Sequence, residues 1–249
     1  MVDHQFADAR LAALYDRFHP WESRGDFPFY LPRLLAARSV LDIGCGTGLL
    51  LHRARAAGHT GRLCGLDPAV GMLELARRRG DVEWVAGDLE SFDRPGEFDL
   101  AVMTGHAFQA LVTDEEIRGA LAAVGELLTA DGLFAFETRE PAARAWAGWT
   151  PEHAVTVRDE HGAEVTMSHR VHTPVEGDTV TFDTTYTSPD WPRPETSRST
   201  LRFLTAPALD ARLAEAGLAV VERYGDWSGG PHTAGSPEII TFARRAATR

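Results

Sequence analysis

The sequence predicts an α/β protein: a mostly parallel sheet with helices on both faces and, later in the chain, a block of antiparallel strands. Three observations predict it. Five short apolar runs alternate with helical stretches between residues 39 and 138, which requires crossover connections and a parallel sheet. The first run, Val40-Leu41-Asp42-Ile43, leads into Gly44-Cys45-Gly46-Thr47-Gly48, a glycine turn between strand and helix. From Val155 onward the periodicity falls to two, in β-branched stretches divided by turn residues.

Residues 1–38 precede the sheet. Phe6, Leu11, Leu14, Tyr15 and Phe18 have helical spacing, and His19-Pro20-Trp21 and Phe27-Pro28-Phe29-Tyr30-Leu31 form an aromatic segment broken by proline. It reads either as a lid over a ligand or as an arm packed on the core. After the glycine turn, Leu49 to Ala57 forms a helix closed by Gly58. Glycines in such a turn can take positive φ or admit a ligand close to the backbone, and the helix start presents free N–H groups.

Arg62 to Asp67 is the second strand, followed by a helix from Pro68 to Arg79 whose Arg77-Arg78-Arg79 end suits the negative pole of the dipole. Val82 to Asp88 is the third strand and Phe98 to Met103 the fourth. Thr113-Asp114-Glu115-Glu116 is a capping box that opens a helix running through Leu128. Asp131-Gly132 ends it, and Leu133 to Thr138 is the fifth strand. Val155 to Arg158, Glu164 to Val171, Thr179 to Thr187 and Ser197 to Phe203 are antiparallel, with Glu176-Gly177-Asp178 in one turn. Ala208 to Ala216 is a helix ended by Gly217, and strands Leu218 to Tyr224 and Glu238 to Phe242 return to the main sheet. The chain divides into an arm (1–38), a ligand-binding domain (39–150 and 206–249) and an insertion (151–205) that covers a substrate or makes a dimer contact.

The 249 residues carry a formal net charge of −11, which disfavours a nucleic-acid or anionic-membrane surface. Every basic residue other than histidine is arginine, so lysine Schiff-base chemistry is excluded. Cys45 and Cys64 sit at the ends of apolar runs and read as buried thiols. Asp3, Asp8 and Asp16 interrupt the first residues, and no apolar run reaches membrane length; a cytoplasmic protein is expected.

Two cofactors compete for the glycine turn. A dinucleotide site wants G-x-G-x-x-G, with the pyrophosphate on the helix N-terminus and an acidic residue about 20 positions on. Here the third glycine comes one residue early, position 49 is leucine, and the Asp42 carboxylate would repel a pyrophosphate. A cofactor presenting an amino group and a sulfonium fits better, with Asp67 placed for ribose hydroxyls. Asp42 to Gly48, followed by Asp67, Asp88 and the strand at Phe98-Asp99-Leu100, resembles the class I, Rossmann-like S-adenosylmethionine-dependent methyltransferases. The likeness covers residues 38–140 well and the C-terminal strand pair in outline, and the whole chain, including Phe136-Glu137-Thr138-Arg139 and Tyr224-Gly225-Asp226-Trp227, is similar to bacterial small-molecule methyltransferases.

The resemblance implies a seven-stranded, mostly parallel Rossmann-like sheet and an inserted antiparallel sheet. It implies that Gly44, Cys45, Gly46, Thr47 and Gly48 contact the methionine part of S-adenosylmethionine, and that Asp42 orients its amino group. Asp67, beside Pro68, would bind the ribose, Met72 would pack on the adenine, and Asp88 with Leu89 would hold the adenine edge. Met103, Thr104 and Gly105, ending the fourth strand, would complete the cofactor site.

The reaction implied is in-line methyl transfer to oxygen or nitrogen of a small-molecule acceptor, releasing S-adenosylhomocysteine. His106 is the candidate general base, because imidazole titrates near neutral pH; otherwise it hydrogen-bonds substrate or caps the next helix. Tyr15, Trp21, Tyr30, Phe108, Glu137, Arg139 and Trp227 are the candidate acceptor residues. Glu137 and Arg139 either clamp a polar or carboxylated acceptor or pair with each other. His169 and His172 fall on opposite faces of a strand, so with His161 they do not assemble a metal site, and none is expected. A homodimer through the insertion is one expectation. Two other readings remain: a binding protein or non-methylating enzyme that retains the same cofactor, and an NAD-dependent oxidoreductase.

Overall fold

The computed structural model describes residues 2–175 and 177–246; Met1, Glu176 and 247–249, which fall in the arm, in one predicted turn and at the C-terminal boundary, lie outside the described residues. Three one-turn helices come first, α1 (His4–Ala7), α2 (Ala9–Ala12) and α3 (Tyr15–Phe18), with a 3-10 turn at Trp21–Ser23, and then α4 (Asp26–Ala36). The main alternation follows as β1 (Ser39–Ile43), α5 (Leu49–Ala56), β2 (Arg62–Asp67), α6 (Val70–Ala76), β3 (Glu83–Ala86), β4 (Phe98–Met103), α7 (Asp114–Leu127) and β5 (Leu128–Arg139). Strands β6 (Val155–Arg158), β7 (Glu164–Val171), β8 (Thr179–Thr187) and β9 (Glu195–Arg202) form the insertion, and α8 (Ala206–Glu215), β10 (Leu218–Tyr224) and β11 (Glu238–Arg245) complete the chain.

The seven-stranded sheet has the order β10-β11-β5-β4-β1-β2-β3, with β11 antiparallel to both neighbours and the remaining pairs parallel. Strand order reverses at β1 and β4, the switch point at which open α/β sheets bind ligands. Leu41, Ile43, Phe134 and Phe136 pack under α7 and α8 with Ile117, Leu121, Leu209 and Leu213. On the other face Val40, Leu100 and Val102 pack under α4 and α5 with Phe27, Tyr30, Leu34, Leu50 and Leu51. By strand alternation, Asp42 and Glu137 project on this α4 face.

The proline-broken segment is corrected: Pro28 and Pro32 lie within α4. Pro28 sits in the first turn, where its missing N–H has no intrahelical role, and Pro32 removes one bond at a cost of about 3 kcal/mol. Burial of Phe27, Tyr30 and Leu34, each worth roughly 1.5–3 kcal/mol, outweighs that loss. The helix predicted over Pro68 to Arg79 contracts to α6, because Arg78 and Arg79 turn back onto the Leu75 and Ala76 carbonyls and the Trp84 indole donates to the Arg79 carbonyl (2.9 Å). Asp131-Gly132 does not end a helix. Helix α7 passes straight into β5, and the pair forms a register shift in which Leu128 faces Phe98 and Leu133 faces Leu100. A Cβ on Gly132 would stand 2.8 Å from the Phe98 carbonyl oxygen, which explains the glycine. Strand β9 begins two residues before the predicted Ser197 and leaves Phe203 outside.

The insertion is a sheet of order β6-β7-β8-β9. Its inner face packs Val165, Met167 and Tyr186 against Leu11, Leu14 and Phe18 of the arm. The arm is stitched to it by the Gln5 N–H donating to Ser197 Oγ (3.1 Å) and the Tyr186 hydroxyl donating to Gln5 Oε1 (3.0 Å). His169 faces Phe182 and Thr184 on the inside, whereas His172 pairs with Asp183 beside Arg198. No helix among the described residues is long and apolar enough to cross a membrane. Cys45 and Cys64 are buried free thiols.

Candidate active site

The glycine turn is held by backbone. Gly44, Gly46 and Gly48 have φ of 74°, 56° and 74°, a region that side chains with a Cβ rarely adopt. The N–H groups of Gly44 and Cys45 donate to the Leu66 carbonyl at the end of β2, and the Gly46 N–H donates to Asp67 Oδ2 (2.7 Å). Asp67 Oδ1 accepts from the Ala69 N–H (2.7 Å), so this carboxylate fixes two loops at once. Burial raises the Asp67 pKa and these two donors oppose the rise.

Asp42 lies beneath this turn with 1% of its surface exposed, and its Oδ1 has no hydrogen-bond partner. Burial, reinforced by the Asp67 charge, pushes its pKa up to about 7. A buried carboxylate oxygen without a donor costs free energy that a cationic N–H donor would recover. The site therefore fits a ligand that brings an ammonium group to the glycine turn. Arg24 stands close to Gly105, where a Cβ would lie 3.0 Å from its Nη2, but its guanidinium is paired with Asp26.

At the ends of β4 and β5 the arrangement is made by side chains. Met103 and Thr104 are buried, Gly105 has φ 69°, and His106 follows in the left-handed region at φ 62°. The His106 N–H donates to Glu137 Oε1 (2.8 Å), and the Tyr30 hydroxyl donates to Glu137 Oε2 (2.8 Å). Burial first, then the Asp26 charge, pushes the Glu137 pKa up to about 8. His106 Nε2 lies 2.9 Å from Glu238 Oε2, and burial lowers the imidazole pKa, so the ring is neutral at pH 7. The carboxyl oxygen as acceptor at Nε2 places the proton of the neutral ring there and leaves the lone pair on Nδ1.

Of the predicted residues, the structure gathers Asp42, the glycine turn, Asp67, Met103, Thr104, Gly105, His106, Glu137 and Arg139 along one edge. Pro68 follows Asp67, and Met72 is buried with Ala12 and Ala69 against Phe6 and Tyr15 of the arm. Asp88 is exposed and holds the Ser91 N–H and hydroxyl, while Leu89 packs on the core below it. Phe108 is a correction: it is buried and stacked on Phe136 at 4.4 Å, turned into the core and not toward an acceptor. Trp21 packs on Phe27 (5.5 Å) and Trp227 on Phe29 (5.8 Å), so both seat α4. Glu137 and Arg139 do not pair with each other. Glu238, Asp16 and Gln109 escaped the sequence reading; Asp16 accepts from the Thr47 hydroxyl (2.7 Å) and ties the arm to the glycine turn. The sequence marks Glu238 only as the start of the last strand, and its place beside β5 comes from the sheet pairing.

Residues 40–132 match the family described as a methyltransferase domain. The chain is similar to the cypemycin N-terminal methyltransferase of Streptomyces sp, 29% identical over 86% of this chain and 85% of that one. It is similar also to a dTDP-4-amino-2,3,4,6-tetradeoxy-D-glucose N,N-dimethyltransferase of Saccharopolyspora spinosa, 29% identical over 75% and 73% of the two chains. Among solved structures, the CcbJ methyltransferase of Streptomyces caelestis superposes with a TM-score of 0.76 at 24% identity, covering 98% of each chain. The S-adenosylmethionine-bound amino pentose methyltransferase CalS10 of Micromonospora echinaspora gives a TM-score of 0.69 at 26% identity over 94% and 97%. With the matched domain, the sheet order and a glycine turn that fits an ammonium group in agreement, residues 40–132 carry a methyltransferase domain and the chain has the fold of the class I, Rossmann-like S-adenosylmethionine-dependent methyltransferases.

Proposed function

We propose that the enzyme methylates a nitrogen or oxygen of a small-molecule acceptor that reaches the carboxyl edge of β4 and β5 beneath the N-terminal arm. The observation that carries the reading is the unpartnered Asp42 oxygen under three left-handed glycines, with a neutral His106 held by Glu238 at the adjacent strand end. S-adenosylmethionine supplies the electrophilic methyl group and its own leaving group. The chain must then align the acceptor and, where the attacking atom bears a proton, remove it.

In this reading Asp42 takes the cofactor's amino group, and Gly44 to Gly48 line its methionine part by backbone approach. Asp67 keeps a second lone pair on each oxygen for the ribose hydroxyls. Met72 walls the adenine, Asp88 and Leu89 edge it, and His106 Nδ1 accepts the acceptor's proton. Nitrogen is favoured by the relatives, whose names describe N-terminal and amino-sugar N-methylation. A small acceptor is favoured because the arm is fastened both to Thr47 and to the inserted sheet, which roofs the edge instead of leaving a wide groove. The insertion acts as that cover, and its hydroxyl-rich outer face, with Thr156 paired to Thr166 and Thr181 to Thr200, is the surface left for a homodimer. A cytoplasmic location accords with the free thiols.

The test is release of S-adenosylhomocysteine when the protein is given S-adenosylmethionine and a panel of small amines and alcohols, alongside calorimetry with S-adenosylmethionine and NAD. Turnover with any amine or alcohol supports the reading. Tight S-adenosylmethionine binding with no product across the panel returns the non-methylating alternative, and NAD binding in its place would overturn both.

A further inference from the structure

Arg139 ends β5 two residues beyond Glu137. Its Nη1 donates to Gln109 Oε1 (2.9 Å), and its backbone N–H reaches the same oxygen (3.3 Å). Gln109 is held in turn by its Nε2 donating to the Arg202 carbonyl (3.0 Å). Among the described residues no carboxylate lies within ion-pair distance of Arg139. The nearby acids have their own donors: Glu137 has Tyr30 and the His106 N–H, Glu238 has His106, Glu140 has His232, and Asp26 has Arg24.

The imidazoles around the guanidinium are neutral and one wall is aromatic; the negative charges that reach it, Glu238 and Glu137, act from beyond ion-pair distance and are held by donors of their own. Burial, with Arg24 next, lowers the His19 pKa to about 4, and burial likewise lowers that of His169, so both imidazoles are uncharged at pH 7. The Trp149 ring centre lies 5.2 Å from Arg139 Cζ, and Trp149 packs on Phe182 at 4.7 Å. Burial pulls the Arg139 pKa below the usual arginine value. A half-buried cation with one neutral acceptor and no carboxylate in ion-pair reach gains when a counter-charge arrives.

We propose that Arg139 is the recognition point for an anionic group of the acceptor, a carboxylate or a phosphate ester, with Trp149 and His169 flanking it. This deepens the methyltransferase reading and rests on it. Guanidinium offers five N–H donors in a planar fork; one serves Gln109, and the others match the paired oxygens of a carboxylate or phosphate. The acceptor would then be held at one end by its charge while its nitrogen or oxygen is aligned at His106. Such a two-point grip gives in-line displacement the orientation it requires.

The test uses the full chain loaded with S-adenosylhomocysteine, titrated separately with inorganic phosphate and with acetate, and followed by calorimetry and tryptophan fluorescence. The expected result is saturable binding of at least one ion, with phosphate or acetate naming the kind of anion, weakened roughly tenfold or more in Arg139→Met and partly kept in Arg139→Lys. Arg139→Met should at the same time raise the melting temperature of the ion-free protein by about 2–4 °C, because the uncompensated charge is gone. Absence of saturable binding, equal binding by Arg139→Met, or a lowered melting temperature would overturn the proposal. So would competition between the ions and S-adenosylhomocysteine, which would make Arg139 part of the cofactor site. Failure to bind S-adenosylhomocysteine at all would instead overturn the methyltransferase reading.

Discussion

The two halves of the active-site edge are built by different means. Around β1 and β2 the geometry is fixed by backbone: left-handed glycines, N–H groups on the Leu66 carbonyl, and one carboxylate, Asp67, bracing two loops. Around β4 and β5 it is fixed by side chains from remote parts of the chain. Tyr30 and Glu137 are 107 residues apart, and His106 and Glu238 are 132 apart. A backbone-built half tolerates almost no side chain at its turning points, whereas a side-chain-built half can be retuned one residue at a time. In the proposed reading the methyl donor is met by the rigid half and the acceptor by the adjustable one.

The sharpest break should come from Gly48→Val. A Cβ there would collide with the Trp84 ring, and φ 74° is unfavourable for a β-branched residue, so a loss of at least about 3 kcal/mol in unfolding free energy is expected, together with loss of cofactor binding. Denaturant unfolding and calorimetry check it; a variant of normal stability would mean that the turn is not backbone-limited. Next is His106→Ala, expected to reduce kcat roughly a hundredfold while cofactor affinity stays within about twofold, the size of a general-base effect. Glu238→Gln should act through it. Because Glu238 raises the His106 pKa, its removal shifts the acid limb of the rate profile to lower pH.

Asp42→Asn tests the rigid half electrostatically. Asp42 and Glu137 have folded-state pKa values raised to about 7 and about 8, so the stability they contribute is complete below their ordinary values and is lost as pH rises through those points. Cofactor-free protein should therefore melt at progressively lower temperature from about pH 5 to pH 8, and Asp42→Asn should be the more stable protein at the upper end. Its cofactor affinity should fall roughly tenfold and lose the rise that ionisation of Asp42 gives the wild type near pH 7. Thr47→Val is the mildest change. It removes the hydrogen bond that the Thr47 hydroxyl donates to Asp16 of the arm, costs about 1 kcal/mol and should speed cofactor release a few-fold in stopped-flow exchange.

The same division explains what could be read from the chain. The glycine turn, the acidic ends of β2 and β3 and the capping box at Thr113 are contiguous in sequence and stood out there, as did the hairpin periodicity of the insertion. The α4 helix was hidden because its prolines outweigh local propensity and only the aromatic packing reverses the outcome. Asp131-Gly132 looks like a helix stop in isolation, and the requirement for close approach to Phe98 appears only once β4 and β5 are paired. Phe108 has no local mark that separates a core aromatic from a pocket aromatic. Glu238 and Gln109 draw their significance from partners outside their own segments, which periodicity cannot supply.

The arm's attachment to the inserted sheet has a consequence for how the enzyme is made. Tyr186, the hydrogen-bond partner of Gln5, leaves the ribosome 181 residues after it. At about 5–20 residues per second that interval is roughly 10–40 s. For that time Leu11, Leu14 and Phe18 have no Val165 or Met167 to pack against. The arm can thus meet Thr47 and Met72 early with one face, while its Leu11, Leu14 and Phe18 face stays uncovered until the insertion has been made.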